Sequence, residues 1–173
     1  SAILLPFLMS MVILSYIVYA LLSAENGLVN NTILPLLHID PIQWYQKPKY
    51  WPAILIIANC WKGVGYGCLI YIASLIGIDP TYYEAARLDG ATKWQEITKI
   101  TLPCLVPTII TLLLLSIGRI FYSDFGLFYQ VPMNSGVLFP TTNVIDTYVY
   151  RALIEQGNIS MSSAAGVYQS LVG

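Results

Sequence analysis

Charge is what this sequence has least of. Lys, Arg, Asp and Glu make up 10% of its 173 residues, against about 25% in an ordinary soluble domain. The few charges nearly cancel, at a formal net charge of −1. No basic stripe exists to neutralise phosphates, which excludes nucleic acid as a partner. Histidine is almost missing: His38 stands alone, and Cys60, Cys68 and Cys104 show no ligand spacing. That excludes a structural or catalytic metal site, and the cysteines read as small buried hydrophobes. A G-x-x-x-x-G-K-[ST] phosphate loop is missing too, as is any converging acid–base set, so no ATP chemistry belongs to this chain. The run Gly63-Val64-Gly65-Tyr66-Gly67 is not a dinucleotide fingerprint, because no strand–turn–helix context surrounds it.

Apolar residues are plentiful, at 57% of the chain with a mean hydropathy of +0.67. An all-α membrane protein follows, with spans over residues 2–22, 52–78, 104–122 and 160–173. The first is 21 uncharged residues, about 32 Å as helix, enough to cross a hydrocarbon core of about 30 Å. Tyr16 and Tyr19 near its far end suit an aromatic belt. The second span carries Asn59 and Lys62, and Lys62 must face a protein interior, line an aqueous cavity or snorkel outward. Gly63 and Gly67 form a G-x-x-x-G pair that permits close helix packing. In the third span, Arg119 and Asp124 are either an interfacial pair or polar lining of a cavity. Residues 141–156 read as a short helix, capped by Asn143 and closed by Gly157, that lies in the interface or packs on the bundle. The last span, 160–173, is too short to cross, and the chain opens at Ser1 directly in an apolar run. It reads as an internal segment of a longer protein.

Between the second and third spans lies the longest polar segment, 79–103. Asp79 is placed to cap a helix beginning at Pro80. Gly90 is its natural stop, since glycine enters the left-handed conformation without a Cβ penalty. A second short helix is expected over Thr92 to Ile100, ended by Pro103, with Trp94, Ile97 and Ile100 along one face. A membrane protein that places its charges on one loop uses it to meet something soluble.

Glu84-Ala85-Ala86, three residues, Gly90, nine residues, then Ile100-x-Leu102-Pro103 resembles the signature "EAA loop" of binding-protein-dependent ABC importer permeases. The fuller form, with Asp89 before Gly90 and Ala91 after it, is similar to the carbohydrate branch. Gly27-Leu28-Val29-Asn30, Trp61-Lys62-Gly63-Val64-Gly65 and Asp146-x-Tyr148-Val149-Tyr150-Arg151 resemble the polysaccharide-permease subgroup. The resemblance implies part of a type I ABC importer transmembrane domain, about four of six core helices over residues 1–173. It further implies two cytoplasmic ATPase subunits that carry ATP and Mg, a second homologous permease and an extracytoplasmic solute-binding protein, all in the lipid of a prokaryotic cell membrane. The ATPase-coupling residues would be Glu84, Ala85, Ala86, Asp89, Gly90, Ala91, Ile100, Leu102 and Pro103. Loop 79–103 would be cytoplasmic, and loops 23–51 and 123–159 mostly extracytoplasmic. Basic residues favour that orientation only weakly, with Arg87, Lys93 and Lys99 against Lys47, Lys49 and Arg151.

The expected function is a transport subunit for oligosaccharides or polysaccharide fragments. Alternatives are the same importer with a non-carbohydrate cargo, or an intramembrane enzyme or structural subunit. A substrate path would draw on Asn59, Lys62, Tyr66, Arg119, Tyr122 and Asp124. Tyr71, Phe125 and Tyr129 are further aromatic faces for sugar rings.

Overall fold

The computed structural model describes residues 2–120, 122–155 and 157–172, all helix, turn or loop. Ser1, Phe121, Gln156 and Gly173 fall within the expected segments and lie outside the described residues. Seven helices organise the chain: α1 (Met11–Leu22), α2 (Trp51–Ile76), α3 (Pro80–Leu88), α4 (Lys93–Gly118), α5 (Phe125–Gln130), α6 (Ile145–Ile154) and α7 (Ile159–Val172). Among the described residues, two helices are long and apolar enough to cross a membrane, α4 and the helical stretch Pro48–Ile76 that contains α2.

The first expected span is not one helix. A short turn, Leu5–Leu8, ends at Met9, whose backbone is extended (ψ 141°). The chain restarts at Ser10, whose hydroxyl accepts from the Ile13 amide at 3.3 Å. Serine before an apolar run is a helix N-cap, and the extended Met9 backbone ends the first turn where the cap begins the next helix. The break frees backbone carbonyls, and Lys62 takes them. Its Nζ donates to the carbonyls of Met9 at 2.5 Å and Phe7 at 3.1 Å, and it lies 6.0 Å from the centre of the Phe7 ring. Tyr66, one turn along α2, stacks on the same ring at 4.9 Å. An ammonium on an apolar helix thus finds oxygen ligands inside the protein.

Close packing of α2 falls on a different glycine from the one the spacing suggests. A Cβ on Gly65 would stand 2.1 Å from the carbonyl oxygen of Ile3, whereas Cβ atoms on Gly63 or Gly67 would meet nothing within 4 Å. Within the chain, backbone approach is through Gly65, and the G-x-x-x-G face is open. Cys60, Cys68 and Cys104 are likewise exposed rather than buried, because they lie on faces of α2 and α4 that no other element of this chain covers.

The core gathers where α1, α2 and α5 meet. Leu14 and Val18 pack with Trp51, Leu55, Ala58, Leu127 and Val131. Trp51 is fully buried, and its indole N–H donates to the Trp44 carbonyl at 2.9 Å. Farther along, Ser74 of α2 and Thr108 of α4 share a hydrogen bond of 2.9 Å. The segment 126–140, irregular by sequence, holds α5 and the turns Gly136–Leu138 and Phe139–Thr142.

Helix α6 begins at Ile145, where the Val144 amide donates to Thr147 Oγ1 at 3.1 Å, so Asn143 is not its cap. The Asn143 side-chain Oδ1 instead accepts from the buried Arg151 guanidinium, which also donates to Asn134 Oδ1 at 3.1 Å and lies 4.1 Å from the centre of the Phe139 ring. Gly157, with φ +63°, turns the chain into α7 as expected. Asp146 ties α6 to its neighbours, accepting from the Ser123 amide at 2.8 Å and from Gln169 of α7 at 3.0 Å.

Candidate functional site

The polar segment between α2 and α4 is built from local signals that agree. Asp79 accepts from the Thr81 amide at 2.9 Å, and Pro80 occupies the first turn of α3. These hydrogen bonds from the Thr81 amide hold the Asp79 carboxyl below the usual carboxylate range. At the other end Gly90 is left-handed, with φ +76°. The amide of Gly90 returns to the Arg87 carbonyl at 3.1 Å and that of Ala91 to the Ala86 carbonyl at 2.9 Å. This pair of bonds closes a helix whose next residue is left-handed. Thr92 then opens α4 with a reciprocal cap: its amide donates to Gln95 Oε1 at 2.7 Å, and its hydroxyl accepts from the Gln95 amide at 3.4 Å.

The second arm is not a separate short helix. From Lys93 the chain runs unbroken into the apolar stretch that ends at Gly118. Pro103 does not stop it, because a wide π turn over Ile97–Thr101 precedes it, with the Leu102 amide donating to the Ile97 carbonyl five residues back. One extra residue in the turn relieves the clash a proline ring makes with the carbonyl four residues earlier. Ile100, Leu102 and Pro103, expected on a separate short helix, are therefore part of the root of α4.

Cross-links the sequence reading missed hold the two arms together. Glu96 is buried and accepts from Arg87 Nε and Lys93 Nζ, each at 3.1 Å. The cations are 60% and 76% exposed at their side chains, so each pair contributes about 0–1 kcal/mol and sets geometry more than stability. Thr101 Oγ1 donates its one hydrogen to the Glu96 carbonyl at 3.4 Å, which leaves the Tyr83 hydroxyl to donate to Thr101 at 2.9 Å. The clue available in the sequence was Lys93–Glu96 at helical i,i+3 spacing. Between the arms lies a cleft of about 240 Å³, lined by Ala86, Asp89, Gly90, Gln95, Glu96 and Lys99.

The outer surface of this hinge is uncovered by the described residues. Leu88 is 89% exposed and Trp94 72%. Glu84 is exposed and makes no hydrogen bond or ion pair among the described residues. Ala85, next to it in the chain, is exposed too.

The six residues expected along a substrate path do not converge. Lys62 and Tyr66 are committed to the helix break described above. Asn59 lines a separate cleft with Leu55, Leu127, Phe128 and Thr141. Arg119 and Asp124 do not pair: Asp124 caps α5 by accepting from the Leu127 amide at 3.1 Å, and Arg119 is exposed at the end of α4. Tyr122 is exposed, and its amide closes the turn onto the Arg119 carbonyl at 2.9 Å. Of the aromatics, Phe125 stacks on Tyr129 at 4.9 Å and both rings meet Tyr150.

Similar proteins have the same frame. The YteP permease protein of a polygalacturonan/rhamnogalacturonan transport system in Bacillus subtilis is 33% identical, over 97% of this chain and 51% of its own length. LacF, a lactose transport system permease protein of Rhizobium radiobacter, is 33% identical over 87% of this chain and 50% of its own. A chain of a bacterial alginate ABC transporter, solved in complex with an alginate pentasaccharide-bound periplasmic protein, superposes with a TM-score of 0.90 at 36% identity. That match covers 98% of this chain and 58% of the transporter chain. The chain thus spans about half the length of the curated relatives it matches. The family of binding-protein-dependent transport system inner membrane components matches residues 2–170, and this chain belongs to it.

Proposed function

We propose that this chain is a transport subunit of an ATP-driven importer for oligosaccharides or polysaccharide fragments, and that its α3–Gly90–α4 hinge docks on cytoplasmic ATPase subunits. One observation carries this reading: the hinge between two membrane-length helices presents Leu88 and Trp94 exposed, beside a Glu84 carboxylate that has no partner among the described residues. Apolar contacts from Leu88 and Trp94 supply the affinity, and the Glu84 carboxylate supplies orientation toward a basic partner, since an exposed ion pair contributes only about 0–1 kcal/mol. Because α4 is continuous from Lys93 to Gly118, displacement of the hinge reaches the apolar portion of α4 directly. ATP-driven closure of the ATPase pair moves that helix and switches the cavity between outward- and inward-facing states. In this reading the hinge is cytoplasmic, ATP and Mg stay on the ATPases, a second permease completes the membrane pore and a solute-binding protein delivers the cargo from outside. Glycan cargo is supported by the transport systems named for the relatives.

The test is uptake of radiolabelled oligosaccharide by cells carrying the complete transporter. Glu84→Ala combined with Leu88→Ala is expected to abolish uptake while the permease remains in the membrane at normal level. Undiminished uptake by the double variant would refute the docking role.

A further inference from the structure

We propose that the connection between α1 and α2 forms a binding pocket for uncharged, hydroxyl-rich ligands, an entry subsite for neutral glycans that rejects uronates. It deepens the importer reading above and rests on it for its biological meaning.

A cavity of about 360 Å³ opens between the end of α1 and the loop before α2. That volume falls among those of small-molecule sites, about 300–1,000 Å³. Tyr19, Ser23 and Glu25 form one wall, and Gln43, Tyr45 and Gln46 form the other. The side chains of Ser23, Glu25, Gln43 and Gln46 make no hydrogen bond among the described residues. Between them they offer hydroxyl, carboxylate and amide groups of both polarities to a ligand. Aromatic rings lie beside these groups: Tyr19 and Tyr45 meet edge-to-face at 5.6 Å. Apolar ring faces next to unspent donors and acceptors match a sugar, which has both C–H faces and hydroxyls.

The walls are fixed rather than loose. Asn30 is 2% exposed and spans the gap behind the pocket. Its Nδ2 donates to the Ser23 carbonyl at 3.2 Å and the Ile42 carbonyl at 2.9 Å. Its Oδ1 accepts from the Ile42 amide at 3.2 Å and the Trp44 indole at 3.0 Å. One amide side chain therefore clamps both walls. Gly27 permits the fold of the first wall, since a Cβ there would lie 2.3 Å from the Ser23 carbonyl oxygen. The Tyr45 hydroxyl donates to the Val131 carbonyl at 3.4 Å and anchors the second wall to the end of α5. A pocket so held costs little to order on binding.

Charge sets the ligand class. Glu25 is the one ionic residue lining the cavity, and Lys47 and Lys49 lie outside that lining. A carboxylate accepts well from a vicinal diol and repels another carboxylate. Neutral sugars are therefore favoured over the acidic glycans for which some of this chain's relatives are named.

The whole chain in lipid nanodiscs, free of sugar-based detergent, tests this by saturation-transfer NMR with maltotriose and trigalacturonate as neutral and anionic probes. Saturation is expected on maltotriose and not on trigalacturonate. Gln43→Ala with Gln46→Ala should weaken maltotriose about tenfold, and Glu25→Gln should admit trigalacturonate. Circular dichroism of both variants guards against misfolding, and Glu25→Gln, at an exposed side chain, leaves the clamp intact. Absence of saturation on maltotriose, equal saturation of both probes, or indifference to the variants overturns the proposal. Occupation of this surface by a solute-binding protein without sugar contact overturns it too. None of these residues belongs to the hinge, so the uptake test of Glu84 and Leu88 fails or succeeds independently.

Discussion

Asn30 shows how much one buried amide can hold. Replacing it with Ala leaves the Trp44 indole and the Ile42 amide without their acceptor, at a cost of about 1–3 kcal/mol for a buried group left unsatisfied. Thermal unfolding in nanodiscs should show a clearly lowered midpoint for Asn30→Ala, while Asn31→Ala, whose side chain makes one exposed bond to the Glu25 carbonyl, should stay near wild type. Asp79 makes a prediction in pH. Its carboxyl is held low in the folded protein, so the cap is intact above the unfolded value of about 3.9 and is lost as pH falls through the lower folded value. Amide exchange at Thr81 should therefore be protected at pH 6 and lose that protection in strong acid. Asp79→Asn, measured at each pH as the reference, should show no such step. Both ends of α3 were legible because capping chemistry is local: Asp79-Pro80 and Gly90 specify their conformations without help from the rest of the chain. Lys62 was legible only as a cost. Its partners, the carbonyls of Phe7 and Met9, exist because the chain breaks at Ser10, and no spacing rule links positions 53 and 55 residues apart.

Among the elements, the helix pair at the hinge departs most from its sequence reading. A proline ordinarily marks a helix end, and Pro103 was read that way. The π turn at Ile97–Thr101 absorbs it, so α4 is a single lever. Such a turn is a compromise between backbone bonding and the fit of Glu96 and Thr101 against α3, and residue propensities do not encode it. Packing of α2 against the N-terminal turn gives a sharp comparison. Gly65→Ala places a methyl against backbone at Ile3 and should cost about 1–3 kcal/mol, as overpacking does. Gly63→Ala meets open space and should gain slightly from better helix propensity. Opposite shifts in thermal midpoint would check both. Glu96→Gln removes the charge that both Arg87 and Lys93 meet and should loosen Arg87, detectable as faster exchange at the end of α3.

At the scale of the whole molecule, the chain leaves most of its apolar surface uncovered. Ile110, Leu113, Leu114 and Leu115 of α4 are each more than half exposed, and the apolar window of that helix is unburied within the chain. A lipid bilayer suits that uncovered surface, which fits a member of a family of inner membrane components. Composition alone made the all-helical membrane class legible, because 57% apolar residues with 10% charge leave few soluble alternatives. The substrate path was not legible, since Lys62 and Asp124 are polar for separate local reasons, a helix break and a helix cap, and Asn59 faces a different cleft. Cross-linking reads the contact of the hinge with an ATPase subunit directly. With Cys60, Cys68 and Cys104 replaced by Ser, a single Leu88→Cys in the complete transporter is labelled with a short maleimide–benzophenone reagent and irradiated, so that the ketone inserts into a neighbouring C–H bond, and the adduct is sequenced by mass spectrometry. The predicted result is an adduct with a subunit that carries a G-x-x-x-x-G-K-[ST] phosphate loop, and none from Val137→Cys in the connection between α5 and α6. An ATPase adduct from Val137→Cys and none from Leu88→Cys would contradict it.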